Sequence, residues 1–229
     1  FPYANSWGLA YTLLTPIMLA YLLRLRNQWA QAGLVVALLL STVPAVKTSN
    51  RGMFIGLGIV VAYVLLRQLF ARNWRAVAFG VGMAAVGVIG LFATGTVAEI
   101  LGRQNYSDST GGRAALYKST WEATLQSPIV GYGTPRMEPS VGVSMGTQGY
   151  LWTLMFCFGF VGLGLFLVFL SSAVFSGLRV GTASGYWLHA VPVSCFVVLI
   201  FYSFDITQLS VLLLSSALCV RSNYYGEGL

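Results

Sequence analysis

Apolar and polar positions alternate along this chain in long blocks rather than with a short period. Apolar runs recur at about 7–23, 31–46, 52–70, 76–96, 149–172, 185–204 and 206–220. Runs of this kind, broken by short charged clusters, are read as crossings of a hydrocarbon core about 30 Å thick. The pattern predicts an all-α fold, a polytopic transmembrane bundle of about seven spans. Residues 1–96 carry the first group of spans, residues 97–149 form one long polar loop, and residues 150–229 carry the remaining spans.

The long loop is not featureless. After the flexible Ser109-Thr110-Gly111-Gly112, the stretch Arg113 to Gln126 reads as a short amphipathic helix, with Arg113, Tyr117 and Trp121 four residues apart on one face. Tyr117 and Trp121 are expected to anchor it at the bilayer surface. Pro128 stops that helix, and Gly131, Gly133 and Pro135 turn the chain back toward the membrane. Glycines at 80 and 82, 87 and 90, and 159, 162 and 164 are expected to permit close helix contact. No internal repeat supports an inverted-repeat transporter.

Composition agrees with the block pattern. The chain is 57% hydrophobic and 8% charged, whereas soluble domains devote about a quarter of their residues to charge. It opens on Phe1 in a polar, aromatic stretch and is expected to be part of a longer protein. The net charge of +7 sits at helix ends rather than along one soluble face, so nucleic acid is not the expected partner. Arg24, Arg26, Arg67, Arg72, Arg75, Arg179 and Arg221 fall on one side of the expected bundle, and the short loops of the other side hold only Lys47 and Arg51. This bias places the arginine-rich side in the cytoplasm and the long loop outside. Cys157, Cys195 and Cys219 lie in apolar runs without metal-site spacing and read as packing residues.

Topology leaves an outward basic group to explain: Lys47, Arg51, Arg103, Arg113, Lys118 and Arg136. Arg51 follows Thr48-Ser49-Asn50 at the start of an expected helix, where unpaired backbone N–H groups and the helix dipole favour an anion. Its guanidinium either binds a phosphate bidentately or snorkels to the headgroups, and the residue alone leaves both open. Glu122 reads as an ion-paired carboxylate or a general base, and Asp205 as a helix cap or a group facing a cavity. Asp108 is a further acidic residue on this face. His189, near the cytoplasmic end of its span, is expected to be structural and satisfied at the headgroups. There is no nucleophile elbow, phosphate-binding loop, zinc motif or tight carboxylate pair, so no cofactor or metal is expected.

Several stretches in order resemble the O-antigen ligase and polymerase superfamily of bacterial membrane proteins. Thr48-Ser49-Asn50-Arg51-Gly52 resembles its helix-opening Ser-Arg-Gly segment. Gly112-Arg113, Trp121, Pro128 and Gly131-Tyr132-Gly133 resemble its outer-loop pattern, and Gly146-Thr147-Gln148-Gly149-Tyr150 through Leu154 its re-entry into the membrane. The resemblance implies a multi-pass enzyme of the bacterial cytoplasmic membrane. It would move a glycan from a polyprenyl diphosphate to a glycan, lipid or protein acceptor at the outer face, among membrane lipids. By that resemblance Arg51 and Arg113 hold the diphosphate, with Gln148 and Glu122 as further catalytic candidates. Arg136, Lys118, Tyr132, Trp121 and Asp205 are candidate substrate contacts. Gln148 stands where many ligases have a histidine proposed as the base, and an amide orients a hydroxyl without taking its proton. A flippase or transporter for a lipid-linked glycan or anion, and a noncatalytic envelope scaffold, are the alternatives.

Overall fold

A computed structural model describes residues 4–48, 50–102, 109–139 and 142–225. The apolar blocks become helices α1 (Ala4–Leu22), α2 (Gln28–Lys47), α3 (Arg51–Phe70), α4 (Trp74–Ala93), α7 (Tyr150–Gly177), α8 (Ala183–Val198) and α9 (Ile206–Tyr225). Four of them, α2, α3, α4 and α7, are long and apolar enough to cross a membrane, and the other three are shorter apolar helices. The polar residues between blocks start the helices. Asn27, Asn50 and Asn73 each accept hydrogen bonds from first-turn amides of α2, α3 and α4, and Thr182 does the same for α8. An asparagine cap supplies the acceptor that a helix start lacks, typically worth about 1 kcal/mol.

The helices run up and down. The start of α3, the start of α7 and the turn after α8 meet at one end, where Gln208 Nε2 of α9 also donates to the Ser6 carbonyl of α1 (3.1 Å). The core around α8 contains Leu9, Leu13, Leu170, Val191, Cys195, Val198, Leu199, Tyr202, Phe204 and Leu212. All three cysteines are free and buried, as packing residues would be. By contrast α2 and α4 turn apolar side chains outward: Leu39, Leu40, Phe79, Ile89 and Phe92 are each 65% exposed or more. Faces of that kind suit lipid or neighbouring apolar helices rather than water. Gly80 packs on Leu65, but Gly82, Gly87, Gly90 and Gly164 have open space where a Cβ would stand, so they make none of the expected close contacts among the described residues.

At the opposite end α3, α7 and α8 are tied by one polar chain. Arg67 donates to the Tyr63 hydroxyl (2.7 Å) and to the carbonyls of Leu178 (3.0 Å) and Val180 (2.5 Å), and its guanidinium lies over the Tyr186 ring. Tyr63 in turn bonds His189 Nδ1, while Nε2 meets the Val174 carbonyl at 2.7 Å. Because that carbonyl can only accept, Nε2 carries the proton and Nδ1 accepts from Tyr63. His189 is therefore structural, as expected, but it is fully buried and satisfied inside the bundle, not at the headgroups. Its ring also occupies the place where a Gly177 Cβ would stand, 2.0 Å from Cδ2. His189→Ala opens a cavity and strands the Tyr63 hydroxyl, so it should cost about 3 kcal/mol in thermal unfolding in detergent.

The segment between α4 and α7 is built rather than looped. It holds α5 (Thr96–Gly102), α6 (Ser109–Gln126) and a ribbon of β1 (Arg136–Glu138) and β2 (Val143–Met145), antiparallel with Met137 opposite Ser144. The helix expected at 113–126 is present and stops before Pro128, but it starts at Ser109: the Ser109-Thr110-Gly111-Gly112 stretch expected to be flexible forms its first turn. The ribbon is an addition to the all-α reading. Beyond α6 the chain docks on α7 through backbone: Tyr132 and Gly133 N–H donate to the Phe156 and Cys157 carbonyls (2.9 and 2.8 Å), and Phe160 N–H donates to the Pro128 carbonyl (2.7 Å). Those bonds are possible because α7 breaks at Gly159, whose φ of 66° and ψ of −171° belong to no helix. Gly131, also at positive φ, lies flat against the Phe156–Gly159 backbone. The kink thus exchanges helix bonds for bonds to the docked 128–133 segment, which keeps buried backbone groups satisfied.

Candidate functional site

The arginine at the start of α3 is held by its neighbours. Asn50 Oδ1 accepts from the amides of Gly52 (3.1 Å) and Met53 (3.4 Å) and from the Tyr202 hydroxyl. Arg51, half-buried, is the first residue of the helix so capped. The backbone N–H groups of Gly52 and Met53 are therefore used by the cap, which corrects the expectation that they await an anion. Arg51 itself stands at the positive end of the dipole of a twenty-residue helix, a place that favours an anion. Glycine follows it because the Tyr202 ring fills the space of a Cβ at position 52, with Oη at 2.3 Å.

The start of α7 lies against the same turn. Tyr150 N–H donates to the Tyr202 carbonyl (2.7 Å), Leu151 N–H to the Leu199 carbonyl (2.9 Å), and Ser203 Oγ to the Thr147 carbonyl (2.7 Å). A Cβ on Gly149 would stand 2.1 Å from the Ile200 carbonyl oxygen, so this contact requires glycine. Just before it, Gln148 Nε2 donates to Thr120 Oγ1 on α6 (2.7 Å), and the Gly146 amide reaches the same oxygen (3.4 Å). Gln148 Oε1 and the indole Nε1 of Trp152 are buried and have no hydrogen-bond partner among the described residues. Buried orphans of this kind are uncommon and mark a place that a polar group or water would complete.

The other expected residues divide. The Tyr117 ring stacks on Trp152 at 4.4 Å, beside the buried Leu116, Thr120 and Thr124 of the same helix. Trp121 packs edge-on against Phe160 and stays 47% exposed. Tyr132 is a scaffold residue, stacked between Phe156 and the Arg136 guanidinium, with its hydroxyl on the Ala123 carbonyl (2.9 Å). Lys118 and Glu122 form a long pair of 3.9 Å on the exposed face of α6, two residues round from Thr120 and turned away from Gln148. Asp205 is exposed at the head of α9, and its amide donates to Gln208 Oε1 (2.9 Å), half of a capping box. That bond uses the backbone of Asp205 and the side chain of Gln208, not the Asp205 carboxylate. Ser49, Arg103, Asp108 and the side chain of Arg113 lie outside the described residues.

The fold therefore brings Arg51 and Gln148 to one end of the bundle through Tyr202, and leaves Glu122, Lys118 and Asp205 on exposed surfaces. Three residues of this arrangement escape the sequence reading: Asn50 as cap, Thr120 and Tyr202. Only the first has a local signal, an asparagine directly before a helix start. Among the described residues no three His, Cys, Asp or Glu side chains group as a metal site.

The family model described as O-antigen ligase matches residues 36–167, more than half of the 229-residue chain, from within α2 to the kinked part of α7. No curated protein and no solved structure matches.

Proposed function

From the premise that this chain belongs to the O-antigen ligase family, a family of membrane glycan processing, we propose that it transfers a glycan from a polyprenyl diphosphate to an acceptor hydroxyl. The acceptor oxygen attacks the anomeric carbon, the bond from that carbon to the diphosphate oxygen breaks, and its electron pair stays on the departing polyprenyl diphosphate. Charge grows on that leaving group, and a guanidinium beside it lowers the barrier. Arg51 and Arg113 are assigned to this task. The observation that carries the reading is the capped, Tyr202-braced Arg51 at the same end of the bundle as Gln148. The arginine bias of the opposite end, with Arg67, Arg179 and Arg221, supports placing this end outside the bacterial cytoplasmic membrane.

Gln148 orients the acceptor hydroxyl and cannot remove its proton. The proton passes to water or to the departing diphosphate, so leaving-group stabilisation dominates. Glu122 is not the base in this scheme, since it points outward in a solvated pair with Lys118. Glu122→Gln should hold transfer within about threefold of wild type, the scale expected for an exposed ion pair. The reading is tested in membranes containing the full-length protein, with a polyprenyl diphosphate-linked glycan, comparing wild type, Arg51→Ala and Arg113→Ala at matched expression. Loss in both variants supports it. Wild-type rates in both refute the assigned arginines.

A further inference from the structure

We propose that Tyr202 is a positioning residue of the transfer site, coupling the arginine that begins α3 to the amide that precedes α7; this rests on the reading of Arg51 and Gln148 given above. The turn after α8 touches both helix starts at once. Through its side chain Tyr202 bonds the oxygen that caps α3, and its ring presses on Gly52 where no other residue would fit. Through its main chain it accepts the first amide of α7, while Leu199 accepts the next and Ile200 lies against Gly149. Tyr202 is 6% exposed and Asn50 9%, so neither bond competes freely with water. Asn50 and Tyr202 are 152 residues apart in the chain, and their bond joins α3 to the α8–α9 turn.

A reaction between two bound partners depends on their relative placement, and small displacements of a catalytic group cost rate more than binding. Tyr202 sets the distance between a leaving-group cation and an acceptor-orienting amide. It touches neither substrate in this scheme and acts through Asn50 and the 199–202 turn.

The test uses full-length protein in membranes with Tyr202→Phe, which keeps the ring against Gly52 and deletes only the hydroxyl. Per folded protein, kcat should fall about tenfold with the donor KM within about twofold, the signature of an interaction that matters mainly in the transition state. In an Arg51→Ala background the same change should lower the rate less than about twofold, because residues acting as one unit are not additive. Amide exchange at Gly52 and Met53 should quicken about tenfold in Tyr202→Phe, a readout independent of turnover. A full tenfold loss repeated in the Arg51→Ala background, or unchanged kcat alongside an impaired Arg51→Ala, overturns the coupling and leaves the transferase reading standing. Wild-type activity in Arg51→Ala overturns the reading and the coupling together.

Discussion

Arg51→Ala should reduce glycan transfer by about 100- to 1000-fold, the loss seen when one preorganised donor to a developing negative charge is removed. The expectation follows from place and chemistry together. Arg51 begins a capped helix whose first turn is fixed by Asn50 and Tyr202, so its backbone is preorganised before any substrate arrives. The Gly52 and Met53 amides are engaged by Asn50, so the effect of the substitution is assigned to the guanidinium and not to those amides. Arg51→Lys should recover only part of the rate, since an ammonium keeps the charge but not the two-pronged geometry that matches a phosphate. Rates in membranes, normalised to folded protein, check both variants. A lysine variant as active as wild type would mean that charge alone suffices.

Gly159→Val should be the most damaging single change to the fold, at about 4 kcal/mol or more, because two independent penalties add. Its backbone occupies a region that side chains avoid, at φ 66° and ψ −171°. A Cβ there would also stand 2.4 Å from the Ile129 carbonyl oxygen and 2.6 Å from that of Pro128. These atoms belong to the turn that docks α6 on α7, so the substitution ejects that segment as well as straining the helix. For a chain of this size that is a fall of about 10 °C or more in detergent melting temperature. Gly164→Ala, five residues further along α7 with nothing within 4 Å of its added carbon, should be neutral within about 0.5 kcal/mol. Equal losses in both would show that α7 merely resists larger side chains.

These contrasts mark what the sequence could say. Long apolar blocks find seven helices, because a lipid-facing or core-facing helix needs little more than length and apolarity, but the run 185–204 hid the end of α8 at Val198 and the turn that holds Tyr202. The α6 helix over 113–126 and its stop at Pro128 were legible for local reasons. The ribbon was not, since its strands are three residues each, too short for alternation to register. Gly159 looked like a small packing residue in an apolar run. Only the distant Pro128–Gly133 segment makes it a kink, and no local pattern announces a partner that far away. The partner of Tyr117 was hidden for the same reason: amphipathic spacing finds a face but not what the face meets, and here it meets Trp152. In the site, Arg51 and Gln148 were named from motifs that resemble a family. Tyr202, hidden at the end of an apolar run, acquires meaning only when the fold places it against Asn50.

The most direct test of the account is made on purified full-length protein in lipid vesicles, given a polyprenyl diphosphate-linked glycan and an acceptor, with and without EDTA. The account predicts glycan-bearing acceptor and free polyprenyl diphosphate in equal amounts, at a rate that EDTA leaves unchanged. Movement of the intact lipid-linked glycan across the bilayer with no new glycosidic bond would contradict it.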